Sequence, residues 1–379
     1  MDAKSLEEKI KKLEEFISLV PKHKATEKIV ALNRTRLVKL KNELESNKKR
    51  QKKLSSRISP FSVKSEGIQV ILISDYNTPG AGKTTIFHYL TGAKYENIGK
   101  FTAIPQLGIY KFNKIKFQIV DMPAIMEGAS KGVGHGTEIL SAVRSADLIC
   151  LCIDLSRGIQ KQMGLLLSEF SKANIRINIT SPPIEIEKTG SNKIQVFYLT
   201  EEAKKYLNMD EDIKQLVKES GIHNALVKIH GKINLEMVSD ALNQSIAYRK
   251  MIILGTKGDL PNTQNQFDLL KKKYKNKFPL IIGVSGKKGE GFIDFGNNIL
   301  EFLNKIKIFT KSGNKIAEPP LIVNNDSTVK DIALKIHKSF YKYFKYAVVY
   351  RKGSIMNKKR VGINYLLQNE DVVEIFTTV

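Results

Sequence analysis

Apolar positions early in the chain recur at helical spacing: Leu6, Ile10, Leu13 and Ile17, then Ile29, Leu32, Leu40 and Leu44. The breaker PKHK at Pro21 separates the two stretches, so the pattern predicts a helical hairpin. From residue 68 the periodicity changes. IQVILIS is a short continuous apolar run, the mark of a strand covered on both faces, and TTIFHYLTG behind a glycine-rich stretch predicts a helix. Further strands are expected at KFQIVD, closing on Asp121, and at ADLICLCIDLS; two more, MIILGT and PLIIGVSG, come only after residue 250. Strands alternating with helices in this way predict an α/β fold with a doubly wound, mostly parallel sheet.

One interval does not fit that alternation. Asp154 and Met251 are about a hundred residues apart, whereas a strand-helix-strand unit needs roughly 30. The interval contains the turn-rich SPPIEIEKTGSNKIQVFYLT, which predicts an inserted α+β subdomain at 159–248. The last seventy or so residues change character again. Strand, helix and strand patterns there, with Val329, Ile332, Ala333 and Ile336 as one apolar helix face, predict a small β-grasp module at 306–379. The expected organisation is therefore a helical region (1–65), a split central domain (66–158 and 249–305), the insert and the terminal module.

With 379 residues, 42% hydrophobic and 26% charged, the chain is globular and can bury several cores. No apolar run reaches the roughly 18 residues of a membrane span, and the N-terminus MDAKSLEEKIKK is too charged for a signal peptide. A cytoplasmic protein that does not enter membranes is expected. Both cysteines, Cys150 and Cys152, lie in LICLCIDL; successive strand residues face opposite ways, so neither a disulfide nor a metal pair is expected. The net charge of +24 points to a polyanionic partner, with RNA, and ribosomal RNA above all, as the leading class. A general lysine bias is the plain alternative, and an acidic membrane surface a remote one. The basic runs NKKRQKK (47–53) and NKKR (357–360), and the lysine-aromatic alternation in SFYKYFKY, fit either RNA contact or a solvated face.

The candidate chemistry begins at DYNTPGAGKTTIF, 75–87. In a phosphate loop, G-x-x-x-x-G-K-[ST], backbone N–H groups and the following helix N-terminus wrap the anion. Gly82, Lys83 and Thr84 end that pattern, with Thr85 following them. Asn77 stands where the first glycine belongs, and Thr78, Pro79, Gly80 and Ala81 fill the interior. Asparagine reaches the left-handed backbone region more readily than most residues, so Asn77 is expected to serve there. Lys83 would neutralise the β and γ phosphates, and the Thr84 hydroxyl would meet Mg2+, with Asp121 as the second, acidic ligand. At the end of a later strand, TKGD places Thr256, Lys257 and Asp259. A carboxylate at Asp259 can accept from the N1–H and 2-amino groups of guanine, which adenine does not offer together, while the Lys257 stem would cover the purine plane. SGKKGEGF, with Ser285 and Gly286, would cap the base. Four partial signals in the right order predict binding of GTP and GDP with Mg2+.

The run FTAIPQLGIYKFNKIKFQIVDMPAIMEGASKGVGHG (101–136) resembles the switch region of the Obg superfamily of GTPases, and more narrowly its developmentally regulated GTP-binding (DRG) branch. KHKATEKIV, NIRINITSPPIEI, ESGIHNALVKI and FKYAVVYRKG extend the likeness from end to end. The resemblance implies a P-loop GTPase domain, an N-terminal helix-turn-helix, a C-terminal TGS domain, and an archaeal member of the branch. It also implies association with ribosomes and translation, and admits a stabilising partner protein; a monomer is expected.

Several positions depart from the pattern of that branch. Ala103 follows Thr102 where a second threonine would contact Mg2+, and Ala124 replaces the glycine of D-x-P-G. Thr256 replaces the usual asparagine, and Gly80 takes a position where potassium-using relatives carry asparagine, which argues against K+ activation. Ile125 occupies the place of the glutamine that orients the attacking water in many GTPases. His135 is a candidate substitute, though an ordinary polar loop residue is the simpler reading. Good binding with poor unaided turnover is expected; the rival expectation is a non-hydrolysing RNA- or ribosome-binding adapter with a degenerate GTPase domain.

Overall fold

The computed structural model describes residues 6–21, 26–52, 67–93, 104–190, 193–243, 245–313, 315–351 and 358–378. Thr102 and Ala103, and part of the basic runs at 47–53 and 357–360, lie outside what is described. In chain order the elements are α1 (Leu6–Leu19), α2 (Glu27–Lys52), β1 (Ile68–Ile73), α3 (Lys83–Thr91), β2 (Gln106–Phe112), β3 (Ile115–Asp121), α4 (Gly136–Ser145), β4 (Leu148–Asp154) and α5 (Ile159–Lys172). There follow β5 (Ile175–Ile177), β6 (Ile184–Lys188), β7 (Ile194–Tyr198), α6 (Glu201–Lys204), α7 (Asp210–Glu219), β8 (Ala225–Ile229), α8 (Leu235–Leu242), β9 (Ala247–Thr256), α9 (Thr263–Tyr274), β10 (Ile281–Gly283) and α10 (Phe295–Phe302). The chain closes with β11 (Lys305–Ser312), β12 (Lys315–Ile316), β13 (Leu321–Asn324), α11 (Val329–Ile336), α12 (Lys338–Lys342), β14 (Phe344–Tyr350), β15 (Lys358–Val361) and β16 (Val372–Thr377).

Two compact units emerge, Met1–Ser59 with Asn174–Tyr248, and Pro60–Ala173 with Arg249–Val379. The larger unit is organised by a sheet in the order β10-β9-β4-β1-β3-β2. Along this order the pairs are parallel except β2 with β3. All residues of β1 and β4 are buried, which is why both read as unbroken apolar runs. Edge strand β2 escaped the sequence pattern because its residues are only half-buried or exposed. In an open parallel sheet, loops at the carboxyl ends of the strands gather on one side. Every candidate nucleotide residue within the described part lies in, or directly beside, such a loop.

Cys150 and Cys152 correct the strand argument made for them. Positions two apart share a face, and both thiols belong to one buried cluster. They are free. About 6–7 Å of extended chain separates two such positions, and parallel side-chain directions do not bring the sulfurs together.

The helix α5 buries Ile159, Met163, Leu166 and Phe170 within the larger unit. The chain therefore leaves that unit at Asn174, not at the expected residue 159. In the smaller unit, α2 and the inserted segment share one core: Ala31 of α2 is buried together with Ile213, Leu216, Val227 and Val238. Thr35 meets Ser239 at 3.2 Å, and Arg36 reaches Glu219 at 3.2 Å. A common core between segments so distant in sequence leaves no local signal.

The terminal module has a sheet in the order β12-β11-β16-β14-β15, with β13 beside β11. A capping box between Thr328 and Asp331 starts α11, which buries Val329, Ile332 and Ala333, the first two against Ile308, Val349 and Val373. Ile336, expected on the same face, is 39% exposed because α11 ends there and the chain turns away.

Candidate functional site

The glycine-rich loop leaves β1 and delivers the chain into α3. Gly80 and Gly82 take positive φ angles of 70° and 89°. At Gly82 a side chain would be strained by that angle, and its Cβ would touch Thr256 at 3.4 Å. Asn77 keeps a negative φ, contrary to the left-handed role expected for it. The loop is held at its entrance by a different device. Asp75 forms a parallel bridge with Ile125, whose N–H donates to the Ser74 carbonyl at 2.9 Å and whose carbonyl accepts from Tyr76 N–H at 2.8 Å. Inside the loop, Thr78 Oγ1 donates to Asp75 Oδ2 at 3.0 Å. Burial pushes the Asp75 carboxyl above its ordinary value, with the Thr78 bond offsetting part of the rise. Asn77, Pro79 and Gly80 are exposed, whereas Thr78 and Ala81 are buried.

Three side chains of candidate function meet at the start of α3. Lys83 Nζ donates to Ser74 Oγ at 3.0 Å, and Thr84 Oγ1 donates to Asp121 Oδ2 at 2.7 Å. Asp121 is fully buried at the end of β3. A hydroxyl and a carboxylate thus sit together beside a lysine and a helix N-terminus, an arrangement whose oxygen ligands suit a hard divalent cation. Thr85, next along α3, is half-buried.

The other end of the site is tied to the loop directly. Thr256 Oγ1 donates to the Ala81 carbonyl at 2.7 Å, so a threonine secures the two loops at the position where asparagine was expected. Lys257, at φ 61°, sends its ammonium to Asp154 Oδ2 at 2.7 Å. Asp154 is fully buried, and its other oxygen accepts from the Ser156 N–H and hydroxyl. Gln162 bonds both the N–H and the carbonyl of Asp154. This network fixes where the Lys257 stem runs. Asp259 is half-buried two residues further on. Ser285 is buried, and its hydroxyl accepts from Lys288 N–H at 3.1 Å. A Cβ on Gly286 would lie 3.1 Å from Ile86 N and 3.2 Å from Thr85 C, so glycine lets this loop approach the first turn of α3.

The segment after β3 is fastened from below. Ala124 is half-buried, while Ile125 is fully buried and points no polar group at the site. His135 is exposed, at φ 58° before α4. Ser130 donates through N–H and hydroxyl to Glu169 Oε2 of α5 at 2.9 and 2.7 Å. Burial alone would raise the Glu169 pKa, but the two Ser130 bonds, the Lys172 ammonium and the Gly128 N–H together hold it at about 2. Glu169→Gln is expected to destabilise the protein by on the order of 3 kcal/mol at pH 7. The unfolded carboxyl titrates near 4.5 and the folded one near 2, so the ionised form's contribution is complete at pH 7 and disappears as pH falls through that window. Urea unfolding of both proteins at several pH values should show the gap closing on acidification; a gap independent of pH would refute the latch.

Of the site residues read from the sequence, the structure joins Ala81 to Thr256, Thr84 to Asp121, and Gly286 to the α3 turn that holds Thr85. Sequence reasoning missed Asp75, Asp154 and Glu169. An acid closing an otherwise apolar strand was the available signal for Asp154; for Glu169 there was none.

Comparison with known proteins matches residues 78–181 to the 50S ribosome-binding GTPase family, 194–304 to the C-terminal region of MMR_HSR1 domain, and 306–377 to the TGS domain. An uncharacterized GTP-binding protein of Methanocaldococcus jannaschii is 33% identical, over 99% of this chain and 93% of its own. Developmentally-regulated GTP-binding protein 1 of Xenopus laevis is 25% identical, over 97% of this chain and 98% of its own. Among solved structures, the Schizosaccharomyces pombe YchF GTPase is 14% identical, covering 83% of this chain and 98% of its own with a TM-score of 0.45.

Proposed function

The chain belongs to the developmentally-regulated GTP-binding proteins, which carry a GTPase domain and a TGS domain, and from that premise we propose a slow, Mg2+-dependent GTPase that works on ribosomes. The observation that carries the proposal is the Thr256 bond to the Ala81 carbonyl. It sets the loop bearing Lys257 and Asp259 against the loop bearing Lys83 and Thr84, so one purine nucleotide can be held at both ends. Residues 77–85 would wrap the phosphates, Asp259 would select guanine, Lys257 would cover the ring, and Ser285 and Gly286 would close over the base.

Thr84 and Asp121 would hold Mg2+. That ion, when bound, neutralises charge on the phosphate oxygens. The half-buried Ala124 retains an N–H for the γ phosphate. No side chain at Ile125 can orient water, since it is wholly apolar and buried. Turnover therefore depends on a group brought by a partner, and the ribosome is the partner proposed here, in keeping with the matched family's description and the +24 charge. The same buried Ile125 supports the second reading, a nucleotide-holding adapter that never hydrolyses.

Calorimetry with GTP, GDP and ATP, beside single-turnover hydrolysis with and without ribosomes, separates these readings. The expected result is saturable binding of GTP and GDP, none of ATP, and hydrolysis that ribosomes accelerate. Binding without acceleration would favour the adapter. Absence of guanine-nucleotide binding would defeat both.

A further inference from the structure

We infer that the outward face of the terminal sheet binds single-stranded RNA, with bases stacking on an Arg360, Tyr346 and Phe376 ladder and phosphates meeting the lysines around it. This rests on the proposed ribosome and RNA association and names the surface that would carry it.

The strand register places the ladder. Tyr346 lies opposite Phe376, Val348 opposite both Glu374 and Arg360, and Tyr350 opposite both Val372 and Lys358. Successive residues of a strand face opposite ways and positions two apart share a face, so these side chains lie together. Ala347, Val349 and Val373 point the other way into the core under α11. None of Tyr346, Tyr350 and Phe376 belongs to that core. Tyr346 and Phe376 are stacked, with centroids 4.7 Å apart and planes 17° from parallel. The Arg360 guanidinium sits 3.8 Å above Tyr346, while Lys311 and Lys358 lie 4.5 and 5.8 Å from the centre of the Tyr350 ring.

The electrostatics of this face select the partner. On this face the register puts Lys305, Lys307 and Lys311 of β11 and Lys358 and Arg360 of β15; Lys307 is paired with Glu370 at 2.7 Å, and the strands themselves offer one acid, Glu374. That acid is occupied: one oxygen accepts from Gly313 N–H and the other from the Tyr350 hydroxyl, each at 3.1 Å. Lys311, Lys358 and Arg360 lie over rings and form no ion pair with a described residue, so their charge is uncompensated. Flat rings and guanidinium planes next to uncompensated cations fit a polyanion with exposed bases, since stacking accepts any base and the cations track phosphates. A duplex hides its bases and offers only the phosphates. An acidic peptide would use the lysines but leave the ladder idle.

The test uses the full chain with fluorescein-labelled oligouridylate and a duplex RNA of equal length, followed by anisotropy over a salt series. Tyr346→Leu keeps the volume and removes the ring; a second variant combines Arg360→Gln with Lys358→Gln. GDP affinity measured in parallel reports on folding. Oligouridylate should bind more tightly than the duplex, and Tyr346→Leu should weaken it by about tenfold with an unchanged salt slope. The double variant should lower that slope by roughly one to two. If the wild type binds oligouridylate and both variants bind equally well, the RNA site is elsewhere and this inference falls while ribosome association stands. If oligouridylate does not bind but ribosomes do, and the variants lose them, the face serves a protein and the inference is overturned. If neither RNA nor ribosomes bind, the proposed partner fails as well.

Discussion

Lys83→Ala is expected to remove measurable binding of both GTP and GDP while leaving a folded protein. The ammonium reaches Ser74 Oγ at 3.0 Å, at the base of a loop whose exposed residues, Tyr76, Asn77, Pro79 and Gly80, carry no charge. Helix dipole and N–H groups supply only partial charges. Removing the one full positive charge from a partly buried phosphate site costs about 2–5 kcal/mol, an affinity loss of roughly 30- to several thousand-fold. Ser74 is buried and loses a partner, so a stability cost of about 1 kcal/mol is expected alongside. Calorimetry for nucleotide binding, with urea unfolding as control, checks both numbers. Retention of GDP affinity within threefold would mean that Lys83 does not meet the phosphates.

The second large effect concerns the choice of base. With Asp259→Asn, guanine loses an acceptor for its 2-amino group and meets an amide N–H in its place. Leaving a donor without its acceptor in a closed site typically costs 1–3 kcal/mol, and more where charge is involved. GTP and GDP affinity should fall by about a hundredfold or more, and ATP should gain nothing. Xanthine nucleotides should gain, because a 2-carbonyl accepts from the new amide. Competition between GDP, XDP and ADP for the variant decides the matter. Unchanged preference for guanine would place base selection elsewhere, and the Lys257–Asp154 pair would be the next place to look.

The parts of this site that were legible in the sequence are those whose chemistry needs particular residues in succession. Gly82, Lys83 and Thr84 form such a run, and so does the stretch Thr256 to Asp259 at the end of a buried strand. The sheet was equally readable where strands are covered on both faces, as β1 and β4 are. What escaped depends on side chains brought together from far apart. Lys257 meets Asp154 across 103 positions, and Ser130 meets Glu169 across 39. Neither pairing has a spacing that could be recognised beforehand. Asn77 shows a subtler failure: its replacement of glycine was read as a backbone requirement, whereas the loop entrance is set by pairing of Ser74 and Tyr76 with Ile125. The α5 boundary was missed because the same amphipathic helix would suit either neighbour.

The shared core of the smaller unit has a consequence for biosynthesis. Thr35 waits for Ser239, 204 positions later, and Ala31 for the apolar residues of α7, β8 and α8. During translation the first helices emerge long before the surface that will cover them exists. Until then α2 has only α1 to pack against, so the face that carries Ala31 and Thr35 stays uncovered until some two hundred further residues have been made.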